Sequence, residues 1–238
     1  MGRMEKTELK EEKLPSGSDA MDELLSGGYE RDAITVIYGP SGSGKTNFCL
    51  VALASVAKKK KVIFMDTEGG FSVTRLAQIC GNSKQVMERT LFLQPATFEE
   101  QKRDFEKLKG LVDDSIGIII VDTISMLYRA DRTEEDIRGI NSSLGKQLNF
   151  LSEIARKKKI PVIVTSQVYS EFDKKDSVNM VGGDIVKYSG KCLIELQHDG
   201  SERKAILRKH RSMPEGRSVL FEIREKGVFL VKKRISLF

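Results

Sequence analysis

The stretch Gly39-Pro40-Ser41-Gly42-Ser43-Gly44-Lys45-Thr46 reads G-x-x-x-x-G-K-T and follows directly on an apolar run over residues 33–38. No other segment constrains the chain as much, because each residue type here answers a demand of holding a triphosphate. The glycines let backbone N–H groups close around phosphate oxygens without Cβ clashes. Lys45 has the reach to meet the β- and γ-phosphates, and the Thr46 hydroxyl is a Mg²⁺ ligand. The apolar positions Phe48, Leu50, Val51, Leu53, Ala54 and Val56 predict a helix over 45–57, with its positive dipole end facing the same anion. Strand, glycine loop and helix in that order imply a nucleoside triphosphate site.

The rest of the chain supplies the fold such a loop needs. Apolar runs at 33–38, 61–66, 91–94, 117–122 and 161–166 predict strands, and helical patterns at 45–57, 72–80, 97–112 and 134–157 separate them. Strands this apolar, alternating with helices, predict an α/β fold with a mostly parallel central sheet covered on both faces. After Ser166 the pattern changes to short strands at 191–197, 203–209, 218–223 and 228–232 with tight turns between them, an antiparallel C-terminal extension. Residues 1–17 read as a polar tail and 18–238 as one core domain. Ser18 or Asp19 is placed to cap a short helix through Leu25, which Gly27-Gly28 stops.

Nothing approaches the roughly 18 apolar residues of a membrane span, and the charged start lacks a signal segment. Cys49, Cys80 and Cys192 are odd in number and widely spaced. They suit the cytoplasm and argue against a disulfide framework or a zinc site. The net charge of +6 is unevenly spread: residues 201–238 hold 11 Lys/Arg against 4 Asp/Glu, whereas 1–200 hold 29 against 30. That excess suits a polyanion-facing surface, or alternatively edge strands defended by cations. The basic runs 58–61 and 156–159 each end a predicted helix and read as dipole-complementing caps.

Three further residues carry chemistry at strand ends. Asp122 closes the run Ile118-Ile119-Ile120-Val121, and with a phosphate loop upstream it reads as an indirect Mg²⁺ ligand opposite Thr46. Glu68 follows the strand ending at Asp66, within reach of a γ-phosphate, where a carboxylate holds and polarises an attacking water; the alternative is a cap for the helix starting near Ser72. Gln167, in Thr165-Ser166-Gln167, offers a neutral amide that senses a γ-phosphate and its release.

The ordered set Gly17-Ser18, Leu24-Leu25, Gly27-Gly28, GPSGSGKT, FMDTEGGF, IIIVDT, VTSQV and Gly182-Gly183-Asp184-Ile185 resembles the RecA/RadA recombinase superfamily over nearly the whole chain. Within it the chain is most similar to the short archaeal paralogue of RadA. The resemblance implies a RecA-like core, ATP and Mg²⁺ as cofactors, Lys45 and Thr46 as phosphate and metal contacts, Glu68 as the water-activating position and Gln167 as the sensor. It also places Arg75 against the adenine. It implies DNA as a partner, single-stranded or branched, with RadA and a Holliday-junction resolvase as protein partners. RadA's helix-hairpin-helix domain and Phe-x-x-Ala polymerisation segment have no counterpart here, so long autonomous filaments are not expected; a homo-oligomer is compatible with the resemblance.

Two loops correspond to the family's DNA-binding loops. Arg129 and Arg132 lie in the first, beside Tyr128; Tyr169, Phe172, Lys174 and Lys175 lie in the second. Basic residues with aromatics track a backbone and stack on unpaired bases, although the first loop also carries four acids, and solvated connectors remain the alternative. Arg208-Lys209-His210-Arg211 is the densest basic cluster. Strand alternation would pair Lys209 with Arg211 on one face. With Lys232, Lys233 and Arg234 it reads as a DNA patch, as cations reaching a neighbour's ATP, or as plain surface. The function so implied is an ATP- and DNA-binding accessory of recombinational repair with slow hydrolysis. The competing expectations are a KaiC-like regulatory oligomer and a small-molecule kinase.

Overall fold

Strands buried on both faces need helices above and below, and this protein builds its centre from four of them. The computed structural model describes residues 13–131, 137–170, 178–199 and 202–232. Its elements run β1 (Lys13–Leu14), α1 (Asp19–Leu25), β2 (Tyr29–Glu30), β3 (Ile34–Tyr38), α2 (Lys45–Val56), β4 (Lys61–Asp66), α3 (Val73–Cys80), α4 (Ser83–Glu88), β5 (Thr90–Leu93) and α5 (Phe98–Leu111). They continue with β6 (Ile116–Asp122), α6 (Met126–Asp131), α7 (Ile137–Lys158), β7 (Val162–Ser166), β8 (Val168–Ser170), β9 (Val178–Met180) and α8 (Gly183–Ser189). Strands β10 (Cys192–Asp199), β11 (Glu202–Lys209), β12 (Ser218–Arg224) and β13 (Gly227–Leu230) close the chain.

One nine-stranded sheet has the order β13-β12-β11-β10-β3-β7-β6-β4-β5. Every pairing from β10 through β5 is parallel, and β10 to β13 form an antiparallel meander. This is the RecA-like arrangement, with the antiparallel extension at the C-terminus. Side-chain alternation along β6 sends Ile118 and Ile120 to one core and Ile119 and Val121 to the other. The first core holds α1 and α2 through Met21, Leu24, Phe48 and Leu53, and closes on Phe221 of β12. The second holds α5 and α7 through Phe98, Leu108, Leu144 and Leu151. Helix α2 is buried on nearly all sides, as an all-round apolar helix must be, because sheet and C-terminal strands enclose it.

Several local expectations need correction. Within the stretch read as a tail, Lys13 and Leu14 pair with Glu30 and Tyr29. Ser18 does occupy the N-cap of α1, but its hydroxyl donates to Val228 O at 2.8 Å instead of capping, and Asp19 Oδ1 accepts from Leu230 N. The start of α1 is therefore pinned to β13. The first candidate DNA loop begins with α6, whose Leu127 and Tyr128 are drawn into the second core. The stretch after Gln167 contains the β8–β9 pair and α8. No helix among the described residues is long and apolar enough to cross a membrane.

Candidate nucleotide site

The order β3-β7-β6-β4 makes these four parallel strands neighbours, so whatever follows their carboxyl ends converges. The phosphate loop follows β3, Gln167 follows β7, Asp122 ends β6 and Glu68 follows β4. Gly44 adopts φ 112°, and a Cβ there would meet Ile223 and Phe221 at 3.1 and 3.4 Å, so glycine is required both by backbone and by space. At Gly39 a Cβ would lie 2.4 Å from Leu196 O. The loop is thereby pressed onto β10 and β12, with Pro40, Ser41 and Gly42 forming its outer turn.

Lys45 turns its ammonium back onto the loop, donating to Gly39 O at 2.8 Å and Pro40 O at 2.9 Å. Burial pushes its pKa down, while Glu68 and Asp122 oppose that shift. Ser43 has a buried hydroxyl with no hydrogen-bond partner among the described residues. A buried hydroxyl without a partner and an ammonium satisfied only by the loop's own carbonyls fit a site built for an anion. Asp122 is buried, and burial raises its carboxyl pKa against hydrogen bonds from Thr165 and Thr46. A cation beside it would favour the charged form, so the donor set fits Mg²⁺ between Thr46 and Asp122.

Glu68 and Gln167, 99 residues apart, meet directly: Gln167 Nε2 donates to Glu68 Oε1 at 2.8 Å. Thr123 Oγ1 donates to the same oxygen at 3.2 Å. Ser72, not Glu68, caps α3 by accepting from Arg75 N, so the capping role has another occupant.

Sequence reading missed the residues that hold this arrangement. Asp66 is buried and its carboxylate accepts from the backbone N–H groups of Glu68, Gly70 and Phe71, which folds the turn that presents Glu68. Thr67 Oγ1 donates to Thr123 O and accepts from Thr123 N, at 2.6 and 3.1 Å, stitching the ends of β4 and β6 together. The signal was a run of hydroxyl and acid residues at strand ends.

Arg75 lies across the C-terminal strands. Its guanidinium donates to Asn47 Oδ1, Gln78 Oε1, Glu225 O and Arg224 O, at 2.8 to 3.0 Å. It fastens the β12–β13 turn to α2 and α3, and only the faces of the guanidinium are left for stacking.

The Rad51 family profile matches residues 10–230. The chain belongs to the Rad51 family. It is 38% identical over 225 residues to the DNA repair and recombination protein RadB of Methanobrevibacter smithii, covering 91% of this chain and 95% of that one. With the RadB of Methanococcoides burtonii it shares 40% over 222 residues, 91% and 97% of the two chains. A solved structure described as the RadB recombinase superposes with a TM-score of 0.78 at 35% identity, over 92% of this chain and all of that one.

In this Rad51-family chain the candidate DNA residues are scattered in environment. Tyr169 is exposed at 45% and, with Tyr128, Arg129 and Gly182, lines one cavity of about 520 Å³ beside the carboxyl ends of the strands. Arg132, Phe172, Lys174, Lys175, Lys233 and Arg234 lie outside the described residues, and Lys232 is exposed just after β13. The cluster after β11 is differently disposed from the expected alternation, because the strand ends at Lys209. Arg208 Nε donates to the buried Glu195 at 2.6 Å, and Lys209 Nζ caps α8 through Gly190 O at 2.9 Å. Arg211 binds Glu30 and grips the Asp32 carboxylate with both terminal nitrogens, and His210 is buried against Glu30. Arg217 likewise engages Glu23 and Ser26. Much of the C-terminal basic excess is thus answered by acids and carbonyls from earlier in the chain.

Proposed function

We propose that this chain binds ATP and Mg²⁺ at the carboxyl ends of β3, β7, β6 and β4, binds DNA at the neighbouring loops, and serves recombinational DNA repair as an accessory to RadA. The reading is carried by one observation: four strand ends bring Lys45, Thr46, Asp122, Glu68 and Gln167 into one site, with Gln167 on Glu68. Bound ATP and Mg²⁺ would supply the phosphoanhydride and the charge that polarises it. Lys45 would exchange its loop carbonyls for phosphate oxygens, Thr46 and Asp122 would hold the metal, and the loop N–H groups would cradle the phosphates. Glu68 would orient and deprotonate the attacking water once freed from Gln167.

Supporting a role on DNA are the names of the relatives, DNA repair and recombination proteins, and the cavity that joins Arg129 to Tyr128 and Tyr169 beside this site. The exposed Tyr169 beside a cation suits unpaired bases, and a Holliday-junction resolvase is proposed as a further partner. The test pairs calorimetric titration of Mg-ATP with salt titration of a labelled single strand. Saturable ATP binding and a DNA affinity that falls steeply with salt are expected; no heat with ATP, or no DNA binding at low salt, would sink the corresponding half.

A further inference from the structure

At the opposite, amino ends of the same four strands the chain gathers cations. Arg31 precedes β3, Lys158 and Lys159 precede β7, and Lys58, Lys59 and Lys60 precede β4, and all six line a single cavity of about 670 Å³. Two acids, Asp113 and Asp114, precede β6 between them. Lys60 donates to Asp114 O at 2.6 Å, and Lys158 lies 3.4 Å from the Asp114 carboxylate. Lys58, Lys59 and Lys159 are exposed, and their ammonium groups have no hydrogen bond or ion pair among the described residues. Lys159 feels the Asp32 carboxylate, which Arg211 already grips.

Helix capping explains part of this. A helix end is served by a cation in its last turn, and α7 has Arg156 on Ser152 O and Lys157 on Glu153 there. Lys159 lies beyond that turn, and Lys58, Lys59 and Lys60 lie beyond the end of α2. Beyond Lys60 and Lys158, which meet Asp114, the like charges of Lys58, Lys59 and Lys159 around one cavity repel each other, and that crowding points to an anion. No aromatic lines the cavity; its apolar residues are aliphatic, Leu14, Val56, Ile116 and Ile160 among them. It therefore offers no platform for stacking unpaired bases, in contrast to the tyrosines at the other end of the sheet. The intervening strands, at about 3.3 Å per residue, put it roughly 20 Å from the phosphate loop.

We infer that this cavity and its rim form a second nucleic-acid surface, which takes the phosphodiester backbone of duplex DNA without reading its sequence. It rests on the proposal that the chain binds DNA, and adds a face for the duplex on the side opposite the face for single strands. An acidic protein segment is the other ligand such a cavity would accept, and the experiment separates the two.

The variant Lys58→Glu/Lys59→Glu/Lys159→Glu, and the milder one with Gln at the same three positions, would be compared with the parent by fluorescence anisotropy. The probes are a labelled duplex of random sequence and a labelled oligo-dT, each titrated over a range of KCl with Mg-ATP present. The Gln variant should melt close to the parent, because the three ammonium groups have no hydrogen bond or ion pair among the described residues. Loss of three phosphate contacts should flatten the duplex slope of log K against log salt by roughly 2.7 in either variant, while oligo-dT binding stays as it was. If the Glu variant misfolds, the Gln variant carries the same slope criterion. A duplex slope unchanged in a parent that binds both probes overturns this surface alone and leaves the acidic segment as its ligand. Equal losses on duplex and oligo-dT also overturn it, and a parent that binds neither probe overturns the DNA reading as a whole.

Discussion

Replacing Arg211 by Ala should cost stability before it costs any ligand. The guanidinium donates through Nε to Glu30 Oε1 at 3.0 Å and holds the Asp32 carboxylate through both terminal nitrogens. The Glu30 side chain is only 2% exposed, and the His210 ring lies beside it with Nε2 at 3.5 Å. Removing Arg211 therefore strands a carboxylate in the interior. Loss of one partner from a buried pair costs about 3–5 kcal/mol. Because Arg211 is itself 32% exposed, water enters the space it leaves, and the low end of that range, about 3 kcal/mol, applies. For a chain of this length that lowers Tm by roughly 6–12 °C, readable by differential scanning calorimetry. Adding Glu30→Gln removes the stranded charge, so the double variant should melt above Arg211→Ala. A Tm within about 2 °C of the parent, or a double variant no better than the single one, refutes the reasoning.

Lys45→Ala should weaken Mg-ATP binding about 10- to 150-fold by calorimetry, equivalent to about 1.5–3 kcal/mol for a charge-assisted contact, with Tm of the free chain little changed. Glu68→Gln should leave ATP affinity intact while suppressing whatever phosphate release a coupled assay detects; turnover equal to the parent's would return Glu68 to a structural role. Arg75→Ala removes donors to Arg224 O and Glu225 O, so it should cost about 1–2 kcal/mol and open the β12–β13 turn to proteolysis; an unaltered digest would refute the clasp. Arg211 holds the Asp32 carboxyl below the usual carboxylate range, chiefly by hydrogen bonding. Its contribution is then present above the unfolded value and lost as pH falls through the lower folded one. Denaturant melts should show Asp32→Asn less stable than the parent at pH 7, with the gap closing as pH falls below the ordinary carboxylate range.

The parallel core was legible because each of its signals is local. Apolar runs, a glycine loop and helical spacing all sit within a few residues of the element they specify, and α2, β4, β6 and β7 lie close to where the pattern puts them. What the pattern could not show is who meets whom across the sheet. Glu68 and Gln167 are each readable as polar residues at a strand end, yet their contact depends on β7 and β4 flanking β6, which no local signal encodes. The surroundings of the C-terminal cluster were illegible for the same reason. Four basic residues in a row look like free charge until Glu30, Asp32 and Glu195 arrive from distant segments. Conversely, Lys58, Lys59 and Lys159 look like ordinary helix ends until the sheet order gathers them around one cavity.

The contact between Gln167 and Glu68 also limits how the proposed chemistry can run. One Glu68 oxygen accepts from both Gln167 Nε2 and Thr123 Oγ1, so the carboxylate is held by protein donors. An amide nitrogen has two donors and a carboxylate has spare lone pairs, but Gln167 cannot swing to a γ-phosphate without loosening Glu68. Its backbone is tied on the other side: Val181 N donates to Gln167 O at 2.8 Å, and Ser166 Oγ donates to Val181 O at 2.9 Å. A backbone shift at Gln167 would therefore reach Val181, which adjoins the β8–β9 pair that carries Tyr169. On the proposed function, nucleotide occupancy, the freedom of Glu68 and the placement of the candidate DNA loop would be coupled through Gln167. The amide is the moving part, because the Asp66, Thr67 and Thr123 hydrogen bonds fix the turn on the Glu68 side.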